Sequence, residues 1–139
     1  NVFEFRAIVQ NEDFTNREEI IRQFTRFTFQ MHQNGVEFLD HSPGNTLIKD
    51  NYNGSYSFYL VDLNRMKFHD TIDFQTRMKN LSKITHKKDM IEVMSNEYAK
   101  LSGEPEAVVF ETMWQLTADF QFRFHRKKRI KKKLKFWKK

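Results

Sequence analysis

The stretch Phe38-Leu39-Asp40-His41-Ser42-Pro43-Gly44-Asn45, answered further on by Tyr59-Leu60-Val61-Asp62-Leu63-Asn64-Arg65, decides how this chain is read. Between them runs a strand, turn, strand pattern. Thr46-Leu47-Ile48 is short, apolar and β-prone, Asn51 to Gly54 carries turn chemistry with an Asn53-Gly54 pair, and Tyr56 to Val61 is an aromatic and β-branched run. A hairpin here returns the end of its second strand to the start of its first. Asp62 then lies near Asn45 and the loop holding Asp40, so that two carboxylates and an amide oxygen converge on one small volume.

That donor set suits a hard divalent cation carrying phosphates, because Mg²⁺ prefers oxygen ligands, keeps several waters, and is usually held by one or two carboxylates plus the substrate's own phosphate oxygens. Phosphoryl transfer asks the protein mainly for positioning and charge neutralisation, with one Asp orienting the acceptor hydroxyl and an Asn and a second Asp on the metal. Each residue also has a plainer reading. Asp40 alone is a solvated loop residue before a Ser-Pro-Gly turn, Asn45 alone is a turn-ending polar residue, and Asp62 alone is the ion-pair partner of Arg65. The fixed spacing of the three favours the chemistry, and a carboxylate ending an apolar strand is costly if buried without a cation. Arg65 is read as a structural ion-pair residue, toward Asp62 or a loop carboxylate, with a substrate phosphate as the other option. A Ser-His-Asp hydrolase built from Asp40, His41 and Ser42 is set aside, since adjacent residues on one loop rarely meet in nucleophile, base and orienter geometry.

On these residues the chain resembles a known family. Asp40-His41-Ser42-Pro43-Gly44-Asn45 looks like the catalytic loop of bacterial kinases with a protein-kinase-like fold, in which an Asp stands five positions before an Asn. Asp62-Leu63-Asn64-Arg65, with Met66-Lys67-Phe68 after it, looks like the metal-binding segment of the lipopolysaccharide kinases, where Asp followed three residues later by Arg replaces Asp-Phe-Gly. The resemblance covers roughly Asn16 to Phe68. It implies a Mg²⁺- and ATP-dependent kinase acting on a hydroxyl of an inner-core sugar, heptose or 3-deoxy-manno-octulosonic acid (Kdo), with Asp40 as the catalytic residue and Asn45 and Asp62 as nucleotide and metal ligands. The acceptor would be a lipid-linked core sugar. Phe38 stands where such loops usually have a His that braces the backbone.

The resemblance implies an α+β, mainly α fold: a protein-kinase-like large lobe with one β-hairpin and about four helices. A kinase also needs a β-rich small lobe with a phosphate-covering loop and a strand Lys. Residues 1–14 contain no Gly and no Lys, so the sequence is read as the carboxy-terminal lobe alone, small lobe missing, and poorly active by itself.

Composition sets the outer bounds. The chain has 139 residues, 39% of them hydrophobic and fifteen of them Phe, enough for the core of one domain. It has no Cys, which removes disulfides, thiolate metal sites and cysteine nucleophiles. No apolar run approaches the roughly 18 residues that span a bilayer, and the first residues lack the pattern of a signal peptide. The net charge of +6 is unevenly placed: residues 126–139 hold ten Lys or Arg and no acid, leaving fourteen bases against all eighteen acids in residues 1–125, a net of −4. The body therefore gives no support to a nucleic-acid-binding domain.

Two units follow, a kinase-like lobe over 1–125 and a basic amphipathic tail over 126–139. Thr15-Asn16-Arg17-Glu18 fits a capping box opening a helix to about Gln33, with Ile20, Ile21, Phe24, Phe27 and Met31 as its stripe and Asn34-Gly35 as its stop. Further helices are expected after a cap at Asp70 or Thr71, after Thr85 up to Ser102-Gly103, and from Pro105. His32, His69, His86 and His125 are expected at the surface or in caps. In the tail, Ile130, Leu134 and Trp137 fall on one helical face amid Lys and Arg, a pattern suited to an anionic membrane surface. The expected location is cytoplasmic and peripheral to the inner membrane. The alternative to an enzyme is a non-catalytic kinase-like module that docks to a membrane or partner through this tail.

Overall fold

The structure is a computed structural model that describes residues 2–61 and 63–137, the side chains of residues 63, 136 and 137 excepted. In chain order it consists of β1 (Val2–Glu4), α1 (Arg6–Gln10), α2 (Arg17–Gln33), β2 (Val36–Phe38), β3 (Thr46–Asp50), β4 (Tyr56–Leu60), β5 (Met66–Phe68), α3 (Phe74–Asn80), α4 (Lys88–Ser102) and α5 (Glu106–Trp137), with single 3₁₀ turns at Pro43–Asn45 and Leu63–Arg65. It is mainly helical with two small antiparallel sheets, one ordered β1-β3-β4 and the other pairing β2 with β5. Five α-helices are present among the described residues, one more than expected. The extra one is α1, where Ala7-Ile8-Val9 turns helical so that Ile8 and Val9 can be buried.

Helix α2 is the central support. Its Ile20, Ile21 and Phe24 pack with Met90, Ile91, Met94 and Tyr98 of α4, and with Val109 and Met113 of α5, in one fully enclosed cluster. Each such side chain contributes roughly 1.5–3 kcal/mol relative to exposure. An ion-paired clamp sits beside this contact: Glu97 of α4 accepts from Arg22 and from Arg26 of α2, each at 2.9 Å. Burial pushes the Glu97 carboxyl up, but the bonds from Arg26 and Arg22 outweigh it and hold it below the usual carboxylate range.

The start of α2 differs from the expected capping box. Asn16 is the cap, in the left-handed region at φ 61°, and no side chain satisfies the first amides. The box needs Thr15 as its cap, and the cap falls one residue on. Asn16 donates from Nδ2 to the Tyr56 hydroxyl on the hairpin, and Glu18 is taken by Arg22 one turn on. The end of α2 is as expected, with Gly35 at φ 73°. α3 starts later than expected, because Asp73, not Asp70 or Thr71, accepts from the Thr76 amide at 2.8 Å. α4 ends at Gly103, and α5 runs unbroken from its buried Val109 and Met113 into the basic tail. Among the described residues no helix is long and apolar enough to cross a membrane.

Gly35 shows how tightly α2 is joined to the strands under the loop. The Gly35 carbonyl accepts from the His69 amide at 2.8 Å, and a Cβ at this glycine would collide with the His69 main-chain carbonyl. Gly103, also left-handed at φ 80°, has open space around it. Gly103→Ala is therefore expected to cost about 1 kcal/mol, the backbone term alone, and Gly35→Ala more than about 2 kcal/mol. Urea unfolding of the two variants reads the difference, and equal losses would contradict the packing of β2–β5 onto the end of α2.

Candidate active site

The hairpin has the register that the sequence pattern calls for. Thr46 pairs with Leu60, Ile48 with Phe58 and Asp50 with Tyr56, and beyond the Thr46–Leu60 pair the Val61 amide donates to the Asn45 carbonyl at 3.1 Å. The trailing end of β4 is thereby fastened to the residue that leads into β3. Asp62, the expected second metal ligand, lies outside the described residues.

Asn45 also holds the loop before it. Its Nδ2 donates to the Asp40 main-chain carbonyl at 2.9 Å. This use of the amide hydrogens orients the side chain, and among the described residues no donor engages its Oδ1. An oriented amide oxygen of this kind is a hard ligand that fits Mg²⁺. Among the described residues no three His, Cys, Asp or Glu side chains gather as a metal site.

Asp40 is one-third exposed and its carboxylate meets Arg65, Nε to Oδ2 at 3.1 Å and Nη2 to Oδ1 at 3.4 Å. Arg65 thus takes the loop-carboxylate option among those expected for it. The pair is solvent-accessible and worth at most about 1 kcal/mol, so it neutralises Asp40 without locking it. A second guanidinium that sequence reasoning did not single out stands close by. Arg6, at the start of α1, lies over Gly44 so closely that a Cβ there would meet its Nη2, while its Nε pairs with Glu4 at 3.4 Å. Only the juxtaposition of α1 with the Pro43–Asn45 turn reveals it, since nothing in the local sequence links residue 6 to residue 44.

Below the loop the structure departs most from expectation. His41 faces inward: it is fully buried, its Nε2 lies 2.9 Å from the Thr28 hydroxyl, and its ring stacks on Phe24 at 5.0 Å. Ser42 is not its partner, consistent with setting the hydrolase arrangement aside. Phe38, in the usual bracing-His position, is also fully buried and meets His41 edge-on at 6.0 Å. His32 is not the surface or capping residue expected. It is 1% exposed, with Nδ1 2.8 Å from the Tyr98 hydroxyl and Nε2 2.8 Å from Asn80 Oδ1. His69 is half-buried, with Nε2 2.9 Å from Glu37. Burial pushes the His32 ring down to about 4, with Arg77 adding to the fall while Asn80 and Glu37 oppose it. Burial lowers His41 further, to about 3, and the charge of His32 acts in the same direction.

The comparisons with known proteins fit this architecture. No family model and no curated protein matches the chain. A solved structure described as WaaP in complex with acyl carrier protein aligns with 91% of this chain and 57% of its own, with a TM-score of 0.64 and 15% sequence identity. The chain therefore spans little more than half the length of that protein. At this identity the likeness establishes a shared fold.

The two buried imidazoles make stability depend on pH. Both have folded-state values below the ordinary 6.5, so between about 6.5 and 4 the unfolded chain binds protons that the native chain refuses. Their stabilisation is complete above pH 6.5 and is lost as pH falls, on the order of 2 kcal/mol for each ring by pH 5. The urea midpoint is expected to drop clearly from pH 7 to pH 5, and less so in His41→Gln. A flat profile over that range would contradict the buried neutral rings.

Proposed function

We propose that this chain is the large lobe of a Mg²⁺-dependent kinase that transfers the ATP γ-phosphoryl group to a hydroxyl of a lipopolysaccharide inner-core sugar, Kdo or heptose. The observation that carries the reading is the bond across the open end of the hairpin, which fastens Asn45 to Val61 while the Asn45 amide holds the Asp40 backbone. The fold shared with WaaP supports a distant relationship to lipopolysaccharide kinases, in agreement with the Asp40-to-Asn45 and Asp62-to-Arg65 patterns.

In this reading Asp40 orients the acceptor hydroxyl and takes its proton late in transfer, which requires no raised pKa. Arg65 holds the Asp40 carboxylate at rest, and the weakness of that exposed pair lets it yield to an incoming hydroxyl. Asn45 Oδ1 and the Asp62 carboxylate would hold Mg²⁺, which when bound supplies neutralisation of the phosphate charge. Arg6 adds positive charge at the Gly44 edge of the same loop. The exposed Lys and Arg of α5 between residues 126 and 135 would keep the protein at an anionic membrane surface, where a lipid-linked acceptor lies. Each cation near such a surface is worth about 1 kcal/mol.

The test is Mg²⁺-dependent ATP consumption with Kdo- and heptose-bearing acceptors, measured with a small lobe joined ahead of this one, since the large lobe alone is expected to turn over poorly. Asp40→Asn is expected to lower kcat at least about a hundredfold, and Asp62→Ala to abolish the response to Mg²⁺. Unchanged turnover in both variants would overturn the assignment. Removal of residues 126–139 is expected to abolish sedimentation with anionic vesicles at low salt while sparing turnover of a soluble acceptor. A tail deletion that removes cellular function while Asp62→Ala leaves it intact would instead favour a docking module without catalysis.

A further inference from the structure

The hydrogen bonds around His32 form a chain whose direction is fixed from one end. The Phe38 carbonyl can only accept, so Asn80 presents Nδ2 to it, at 2.8 Å. Asn80 Oδ1 is thereby turned to His32 Nε2, which must carry the ring proton. The neutral ring then offers Nδ1 as a lone pair, so the Tyr98 hydroxyl donates to it, and Arg77 Nη1 donates to the Tyr98 oxygen at 3.3 Å. At its outer end Arg77 and Tyr98 line an open cleft of about 310 Å³. Tyr98 and His32 each donate one hydrogen bond and accept one, and Arg77 is held in turn by donating from Nε to the Ile72 carbonyl at 2.8 Å.

The inner end of the chain reaches the catalytic loop. The Phe38 carbonyl belongs to the same peptide group as the Leu39 amide, and that amide donates to the Arg65 carbonyl at 2.7 Å on the opposite side. The Phe38–Leu39 peptide is thus held at both ends, by Asn80 from α3 and by the residue whose side chain pairs with Asp40. A peptide plane fixed in this way sets the direction in which the chain leaves toward Asp40, one residue on.

We infer that Asn80, itself oriented by His32 and Tyr98, is a positioning residue for Asp40, taking over through a side-chain amide the bracing that Phe38 cannot supply. The inference rests on the kinase reading for its consequence in turnover, but its geometry is testable without it. Asn80→Asp keeps an acceptor for His32 Nε2 while placing a carboxylate oxygen against the Phe38 carbonyl, so it removes the brace selectively. In the full chain, amide hydrogen exchange at Leu39 is expected to quicken at least about tenfold relative to the amides of α4. Turnover, where the wild type shows it, should lose at least about tenfold in kcat with KM for ATP little changed. Unaltered Leu39 exchange in a folded Asn80→Asp would overturn the inference. Should that variant fail to fold, imidazole ¹⁵N spectra of the wild type decide: a neutral Nε2–H tautomer of His32 at pH 6 supports the chain, and an Nδ1–H or charged ring refutes it. Absence of ATP turnover even when a small lobe is joined ahead of this one counts against the kinase reading alone, since exchange and tautomer report the brace by themselves.

Discussion

The main-chain bond from the Val61 amide to the Asn45 carbonyl is the constraint on which the site depends. It extends the β3–β4 ladder one step past Leu60, and in doing so ties the residue before Asp62 to the residue that completes the Asp40 loop. Side-chain periodicity makes this register unforgiving, because a slip of one residue would turn the buried Ile48 and Thr46 outward. Asn45 then works in two directions, with its backbone in the hairpin and its side chain on the Asp40 carbonyl. A single turn, Ser42 to Asn45, connects strand register to the placement of the loop.

The loop is supported from below by polar groups where a helix of this kind ordinarily presents apolar ones. Along α2 the buried face runs from Ile20, Ile21 and Phe24 through Thr25 and Thr28 to His32. Its first half belongs to the hydrophobic core. Its last turns meet His41 and Asn80, and through them the main chain on either side of Asp40. Hydrogen bonds of this sort, in a region that excludes water, contribute modestly when made and cost heavily when one partner is lost. They give the loop a defined position rather than great stability. The two guanidinium groups at its mouth, Arg65 and Arg6, are by contrast exposed and exchangeable.

Much of this was readable in the residues themselves. Alternation and the Asn53-Gly54 turn gave the hairpin, the Ile20 to Phe24 repeat gave the core half of α2, and Gly103 marked the end of α4. What was not readable depended on long-range partners. At the start of α2 the cap falls on Asn16, whose side chain donates to Tyr56 forty residues away, and not on Thr15 as the capping box requires. Ala7-Ile8-Val9 becomes helical because Phe5 and Ile8 complete the core beneath β3. His32, expected at the surface or in a cap, is buried because the loop and α3 turn the Thr28 and His32 face inward. Of the residues gathered at the loop, Asp40 and Asn45 are singled out by their spacing and Arg65 as an ion-pair residue, while Arg6 and Asn80 could be found only once the chain was folded around them.

The central claim is that Asn45 and the end of β4 together grip a metal–nucleotide complex beside Asp40. Its most direct test is to add Mn²⁺ with ATP to the full chain and follow paramagnetic broadening of the assigned amide signals. The account predicts broadening centred on Asp40, Asn45 and Val61 that vanishes in Asp62→Ala. Broadening that spares these amides, or that survives the loss of Asp62 unchanged, would contradict it.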